Sequence, residues 1–264
     1  MPIPFTKAHG AGNDFLVTPA GQVPDVDLPS TARAICDRHT GIGADGWILI
    51  RGSAMRLFNA NGSEAEISGN GTRCVAAMLI HHEQAAGQAV DQVTIQTGAG
   101  PKHLRLLRRD GRRFWFEMNM GWPVYESRQI RCNLPLQAGP QEVTILSVGN
   151  PQCVVFVESF PRNWEALGAE IECLPQFPGR TNVSFVRVMD AHNLEARFYE
   201  RGAGVTLSSG TGSTGAGVAA ILRKVAASPV TVHTPAGESL ELRWDDSVYL
   251  TGPAEIIGTG EFYI

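Results

Sequence analysis

The sequence predicts an α+β protein, mostly strand, made of two related lobes. Strand-like stretches recur along the whole chain, helical patterns are few, and two motifs repeat in the same order at nearly one spacing.

The strand signals are alternating or β-rich runs: Gly46 to Ile50, Met55 to Phe58, Val93 to Gln96, Phe114 to Met118, Val143 to Leu146, Val154 to Val157, Val183 to Val188, Ala196 to Tyr199, Val230 to His233 and Val248 to Leu250. A helix is expected over Pro29 to His39, capped by Asp27 or Ser30, with Ala32, Ile35 and Cys36 on one side. Two more, near Thr72 to His81 and Ser213 to Ala226, each follow a glycine-rich turn. No low-complexity tract or linker divides the chain, and Met120-Gly121-Trp122-Pro123 reads as the crossing point.

The turns carry the repeat. Ser68-Gly69-Asn70-Gly71-Thr72 leads into Arg73-Cys74-Val75-Ala76-Ala77, and Ser209-Gly210-Thr211-Gly212-Ser213 leads into Thr214-Gly215-Ala216-Gly217-Val218. These turns lie 141 residues apart, while Gly12-Asn13 and Gly149-Asn150 lie 137 apart. A duplicated lobe accounts for both offsets.

Composition sets the frame. A chain of 264 residues accommodates one large or two modest domains. A net charge of -4 and a pI near 6.0 supply no field for a phosphate backbone, so nucleic acid is not an expected partner. With 43% hydrophobic and 18% charged residues the chain can bury an ordinary core. Glycine, 29 of 264 residues, is about 11% against a usual ~7%, so many backbone positions need positive φ or close approach. The apolar run Val75 to Ile80 falls far short of the ~20 residues that span a bilayer, so no membrane crossing is expected. Met1 to Lys7 lacks an export signal, which favours the cytoplasm. Cys36, Cys74, Cys132, Cys153 and Cys173 are scattered without a C-x-x-C pair and read as reduced buried thiols; no metal is expected.

A glycine-rich turn ahead of an apolar helix leaves backbone N–H groups pointing along the axis, where the helix dipole adds attraction for an anion. Two such starts sharing one cleft can hold one carboxylate, with Ser68 and Ser209 on either side of the neighbouring carbon. That arrangement suits inversion at an α-carbon: one group removes the proton, another returns one, and donors stabilise the enolate-like charge. The plain alternative is that both serines are ordinary helix caps. Asn13-Asp14, Asn59-Ala60-Asn61-Gly62, Asn150-Pro151-Gln152, Asn182 and Glu200-Arg201-Gly202 supply groups that clamp a zwitterion, so an amino-acid-like ligand is expected. Asn61 and Asn193 read instead as turn residues tolerating the left-handed region, and Glu200-Arg201 has the alternative of a surface ion pair.

Several segments together resemble the diaminopimelate epimerase family: Lys7-Ala8-His9-Gly10-Ala11-Gly12-Asn13-Asp14-Phe15, Arg56-Leu57-Phe58-Asn59-Ala60-Asn61-Gly62-Ser63-Glu64, Gly69-Asn70-Gly71-Thr72-Arg73-Cys74, Gly149-Asn150-Pro151, Arg180-Thr181-Asn182, Tyr199-Glu200-Arg201-Gly202-Ala203-Gly204, Gly210-Thr211-Gly212 and Leu250-Thr251-Gly252-Pro253-Ala254. The resemblance implies two pseudo-symmetric lobes, each a β-rich barrel-like sheet around a central helix, over 1–119 and 120–253, with 254–264 returning to the first. It implies epimerisation of diaminopimelate in lysine or cell-wall precursor supply, without pyridoxal phosphate or metal, and a homodimer. Position by position, Asn13, Asn59, Gly69, Asn70, Asn150, Asn182, Glu200, Arg201, Gly210 and Thr211 would bind substrate, and Ser68, Ser209 and Glu200 would carry the chemistry.

The chain also departs from that pattern. Where the family carries a cysteine before each G-x-G, this sequence has Ser68 and Ser209; the family's histidine after Asn-Pro is Gln152; Val205 replaces a glutamate found in many relatives. A thiol with an ordinary pKa of ~8.5 is readily poised as thiolate, whereas a serine needs a neighbouring base. An engineered double replacement would leave Gln152 and Val205 unexplained. The natural-variant readings are an epimerase with serines helped by Glu200 or the helix dipoles, a single-base isomerase or dehydratase using Glu200, and a silent amino-acid-binding homologue. His81-His82 reads as a helix C-terminal pair favouring the dipole, His9 as a residue orienting its loop, and the five tryptophans as core or interface.

Overall fold

The computed structural model describes residues 2–264. The chain folds as two compact units: one holds the chain to Met118 together with Gly252–Ile264, and the other is Asn119–Thr251.

The first unit contains β1 (Pro2–Gly10), β2 (Asn13–Pro19), α1 (Leu28–Cys36), β3 (Gly46–Arg51), β4 (Ala54–Asn59), β5 (Glu64–Ala65), α2 (Gly69–Ala85), β6 (Gln92–Thr97), β7 (Gly100–Asp110) and most of β8 (Arg113–Gly121). Gly10 pairs with Asn13, so the β1–β2 hairpin closes through Ala11 and Gly12 alone, at φ 52 and 87. A two-residue turn with both φ positive matches the twist of the strands it joins. It leaves Asn13 as the first residue of β2. Helix α1 is capped by Asp27, whose carboxylate accepts from Ser30 N at 3.0 Å, and it buries Ala32, Ile35 and Cys36 in a cluster with Ile3, Leu16, Trp47 and Phe58. Each such large apolar side chain contributes roughly 1.5–3 kcal/mol when fully buried.

The pairing pattern is β1–β2 antiparallel, β2–β3 parallel, β3–β4 antiparallel, β4–β6 parallel, then β6–β7 and β7–β8 antiparallel. The last strand of the chain, β17 (Val248–Tyr263), pairs with β1 and β8 and closes the ring. Helix α2 packs against β1, β2, β6 and β7 and is buried continuously from Gly69 to Met78.

The second unit repeats this plan. It contains β9 (Cys132–Leu136), β10 (Gly139–Ser147), β11 (Pro151–Phe156), α3 (Trp164–Glu172), β12 (Asn182–Val188), β13 (Asn193–Glu200), β14 (Gly204–Thr206), α4 (Gly210–Leu222), β15 (Val230–His233), β16 (Ser239–Trp244) and the start of β17. Its pairings run β10–β11 antiparallel, β11–β12 parallel, β12–β13 antiparallel, β13–β15 parallel, then β15–β16 and β16–β17 antiparallel. The order and sense are those of the first unit, with α3 in the place of α1 and α4 in that of α2. The molecule is an α+β fold of two pseudo-symmetric lobes.

The differences from expectation are local. Both central helices begin at the first glycine of their turns, Gly69 and Gly210, because the serine cap and burial outweigh glycine's low helix propensity. Helix α3 was not legible: Asn163 makes no side-chain cap bond, and only Trp164, Gly168, Ile171 and Glu172 of its nine residues are buried. Asn61 sits in a turn through its side chain, whereas Asn193 opens β13 with its amide bonded to Asp190; the described non-glycine residues with positive φ are Ala11, Arg180 and Lys224. Cys173 is exposed, unlike Cys36, Cys74 and Cys153.

Candidate active site

Each unit places its candidate residues around the start of its central helix. In the first unit Ser68 stands just before α2 with extended backbone, φ -130 and ψ 122, and its Oγ accepts from Gly71 N at 3.1 Å. In the second, Ser209 takes φ -136 and ψ 122, and its Oγ accepts from Gly212 N at 3.0 Å. Both serines are therefore helix caps, as the plain alternative has it. A Cβ at Gly212 would lie 2.9 Å from Ser209 Oγ and 2.8 Å from Phe198 Cδ1, so the turn there admits only glycine.

Ser209 has a second bond that Ser68 lacks. Its hydroxyl donates to Glu200 Oε2 at 3.0 Å, while Glu200 Oε1 accepts from Thr206 Oγ1 at 2.7 Å. The hairpin β13–β14 makes this pair: Glu200 ends β13, opposite Gly204, and the chain returns through Thr206 toward the helix start. Ser209 is buried and Glu200 half-buried. A hydroxyl hydrogen-bonded to a carboxylate at a helix N-terminus has a base in place to take its proton.

Around α2, Asn70 Nδ2 donates to Asn13 Oδ1 at 3.2 Å, Asn13 Nδ2 donates to Asp45 Oδ2, and Arg73 Nη2 donates to Asn70 Oδ1. Arg73 is fully buried, its Nε donating to Pro253 O at 3.1 Å and its Nη1 without a partner. Burial lowers its pKa to about 10. Asp45 lies between Asn13 and Arg38, whose Nη2 is 2.8 Å from Asp45 Oδ1 and 2.7 Å from Asp14 Oδ1; Lys7 Nζ is 3.2 Å from Asp14 Oδ2. Burial pushes the Asp14 carboxyl up, but Arg38 and Lys7 together hold it below its ordinary value. Burial and then the charge of Asp14 push Asp45 above its own. Asn59 ends β4 and donates from Nδ2 to Ser63 Oγ at 3.0 Å, and the next residue, Ala60, donates its N–H to Asp45 O. His9 accepts from Gly12 N at 3.2 Å, which pins the β1–β2 turn.

Around α4, Asn150 Nδ2 donates to Thr211 Oγ1 at 3.2 Å and Asn150 Oδ1 accepts from Gln152 Nε2 at 2.7 Å. Asn182 Nδ2 donates to Pro151 O at 2.9 Å, and its Oδ1 accepts from Arg201 N at 3.1 Å. Arg201 Nη1 reaches Gly179 O at 3.3 Å. Thus Asn13, Asn70, Gly69 and Ser68 form one group in the first unit, with Asn59 beside it. Asn150, Asn182, Glu200, Arg201, Ser209, Gly210 and Thr211 form one group in the second.

Sequence reasoning missed Asp45, Arg38 and Arg73 in the first unit and Thr206 in the second. Asp45 is 32 residues from Asn13, and no periodicity or spacing links them. Arg73 stands inside the quoted glycine-turn motif, yet only burial reveals its role. Burial pushes the thiols of Cys36 and Cys74, in the first unit, up to about 12, so neither offers a substitute acid or base there. Among the described residues no three His, Cys, Asp or Glu side chains are placed to hold a metal ion.

A family model described as diaminopimelate epimerase matches residues 5–126 and 144–257. The chain is 37% identical to the diaminopimelate epimerase of Halothermothrix orenii, covering 100% of this chain and 99% of that one. It is 40% identical to that of Pelotomaculum thermopropionicum, covering 98% of each. Among solved structures, a hydroxyproline epimerase from Agrobacterium vitis superposes with TM-score 0.73 at 16% identity, over 98% of this chain and 90% of that one. A PhzF-family phenazine biosynthesis protein from Bacillus anthracis gives 0.65 at 15%, covering all of both chains; these two likenesses speak to the fold alone. With both halves of the chain matched by one family model and full-length relatives at 37–40% identity, the chain belongs to the diaminopimelate epimerase family.

Proposed function

We propose that this chain is an isomerase that epimerises diaminopimelate between its LL and meso forms without a cofactor, with Ser209 and Glu200 as the base and Ser68 as the acid. The observation that carries the assignment of roles is the 3.0 Å bond from the Ser209 hydroxyl to Glu200, at the start of a helix whose dipole favours negative charge. Family membership supports the reaction.

The Cα–H bond of the substrate breaks as its proton passes to Ser209 Oγ, while the Ser209 hydroxyl proton passes to Glu200 Oε2. The electron pair enters the α-carboxylate as an enolate, which helix-start amides after Ser68 and Ser209 stabilise. Ser68 then gives its hydroxyl proton to the opposite face, forming the new Cα–H bond with inverted configuration. Solvent restores the proton of Ser68 and takes the one held by Glu200. Gly71 N–H and the start of α2 support the Ser68 oxygen while it is negative. Asn13, Asn59, Gly69, Asn70, Asn150, Asn182, Arg201, Gly210 and Thr211 hold the zwitterionic ends, and Gln152, which has no titratable proton, takes no part in the transfer.

The experiment is incubation with LL-diaminopimelate in D2O. Deuterium at Cα of a meso product is expected, and Glu200→Gln lowers its formation by roughly 10²–10⁴-fold, the usual worth of a positioned base. A second reading has one supporting observation: of the two serines, Ser209 alone is bonded to a carboxylate. In that reading Glu200 is the single base of an isomerase or dehydratase, and exchange occurs with no meso product. Tight binding with no exchange at all rejects both and leaves an amino-acid-binding homologue.

A further inference from the structure

Asn13 has an amide whose two ends look alike in shape and differ only in hydrogen-bonding sense. Its Nδ2 faces the Asp45 carboxylate, which can only accept. Its Oδ1 faces Asn70 Nδ2, and Asn70 in turn is held by Arg73, whose guanidinium can only donate to Asn70 Oδ1. The chain Arg73, Asn70, Asn13, Asp45 therefore ends on a fixed cation and a fixed anion. Turning the Asn13 amide over would set two acceptors together at Asp45 and two donors together at Asn70. Arg38 holds the Asp45 carboxylate from its other side at 2.8 Å, and Asp14 N donates to Asp45 Oδ2 at 3.1 Å. Asn13, Asn70 and Arg73 are all buried, so water does not compensate a reversed bond. In the second unit the matching asparagine, Asn150, is held by Gln152 and Thr211, neither of them charged, and Gln152 Oε1 has no partner. Reversal there exchanges one arrangement for another of the same kind.

We propose that Asp45 and Arg73 are positioning residues that lock Asn13 as a donor, so that the first unit selects a ligand oxygen acceptor, such as a carboxylate, at that point and rejects an ammonium. The inference rests on the reading of Asn13 as a substrate contact. The remaining Nδ2 proton of Asn13 has no protein acceptor among the described residues and is the one available to a ligand. Charge at both ends makes this lock different in kind from an ordinary turn bond.

Three variants test it with LL-diaminopimelate, reading calorimetric Kd together with KM and kcat. Asn13→Ala raises Kd and KM about 10- to 100-fold, the worth of a hydrogen bond to a charged group. Asp45→Asn does the same while kcat stays within about threefold. Exchanging the pair, Asn13→Asp with Asp45→Asn, keeps a donor facing an acceptor between positions 13 and 45 and leaves Asn70 an oxygen to donate to, so it folds even where Asp45→Asn alone does not. It nevertheless keeps the raised Kd, since position 13 now offers only acceptors. A folded Asp45→Asn protein or exchanged protein with the parent Kd overturns the lock while Asn13→Ala remains impaired. Parent-like Kd in Asn13→Ala overturns both the lock and the substrate contact beneath it.

Discussion

The two helix starts share a backbone and differ in what stands behind it. Ser68 and Ser209 have nearly the same φ and ψ, and each caps its helix through the glycine three residues on. Behind Ser209 stands Glu200; behind Ser68 no carboxylate is bonded. The asparagine of the first unit is fixed between charges, that of the second between neutral groups. Five residues after the cap, the first unit buries Arg73, whereas the second buries Thr214, whose hydroxyl donates to Gly210 O at 2.8 Å. A duplicated fold thus repeats its backbone geometry while its side chains differ, a buried arginine in one unit and a serine bonded to a carboxylate in the other.

The largest effect expected of that difference is kinetic. With the roles proposed above, Ser209→Ala removes the hydroxyl beside Glu200 and lowers Cα deuterium exchange by roughly 10²–10⁴-fold. Ser68→Ala leaves exchange within tenfold but suppresses the meso product, because only return from the opposite face is lost. Nuclear magnetic resonance of the product separates the two outcomes, and equal loss of exchange in both variants breaks the comparison.

A smaller effect falls on stability. Arg73→Ala leaves a cavity and removes the donor to Asn70 Oδ1 and Pro253 O, at a cost of about 2–4 kcal/mol in urea denaturation. Arg73→Met, which fills the space without burying a charge, costs less than half as much. Thr214→Val, its counterpart in the second unit, costs about 1 kcal/mol, one neutral hydrogen bond. A Thr214→Val loss as large as that of Arg73→Ala contradicts the idea that the buried arginine sets the first unit apart.

The smallest effect is on pH dependence, and it belongs to the first unit. Arg38 and Lys7 hold Asp14 below its ordinary value despite burial, so its ionised form favours the fold. That contribution is present above the unfolded carboxyl value near ~3.9 and is lost as pH falls through the lower folded value. Asp14→Asn is therefore less stable than the parent at pH 7, and the two converge as the solution is acidified below about pH 4. Asp45 works against this trend, since its raised value favours the protonated carboxyl in the fold and costs stability as pH rises through the range above ~3.9. A gap between Asp14→Asn and the parent that persists below the carboxyl range rules out the Arg38–Lys7 origin.

Much of this was open to reading from the chain. The paired S-G-x-G-[ST] turns announced both central helices and offered serine capping as one of two readings, since a cap bond spans three residues and depends on local chemistry. The alternating or β-rich runs announced β3, β4, β6, β8, β10, β11, β12, β13, β15 and the start of β17; in β8, β13 and β15 burial alternates along the strand, whereas β3 and β12 are buried on both faces and read as continuous apolar runs. Strands β1, β2, β7, β9 and β16, and the short β5 and β14, carry no such run. In β7, Lys102, Arg105, Arg108 and Arg109 blur the apolar rhythm, and pairing with β6 and β8 makes it a strand all the same.

Sequence alone therefore determined the repeat, the presence of both central helices and the family, because those depend on residues close together or on motifs in fixed order. Tertiary structure decided which side chain serves which. Asp45 reaches Asn13 across 32 residues, Arg73 reaches Pro253 across 180, and Glu200 meets Ser209 only because β14 turns the chain back on β13. Hydrogen bonds and charges act over a few ångströms in space, and distance along the chain does not reveal which of them the fold will close.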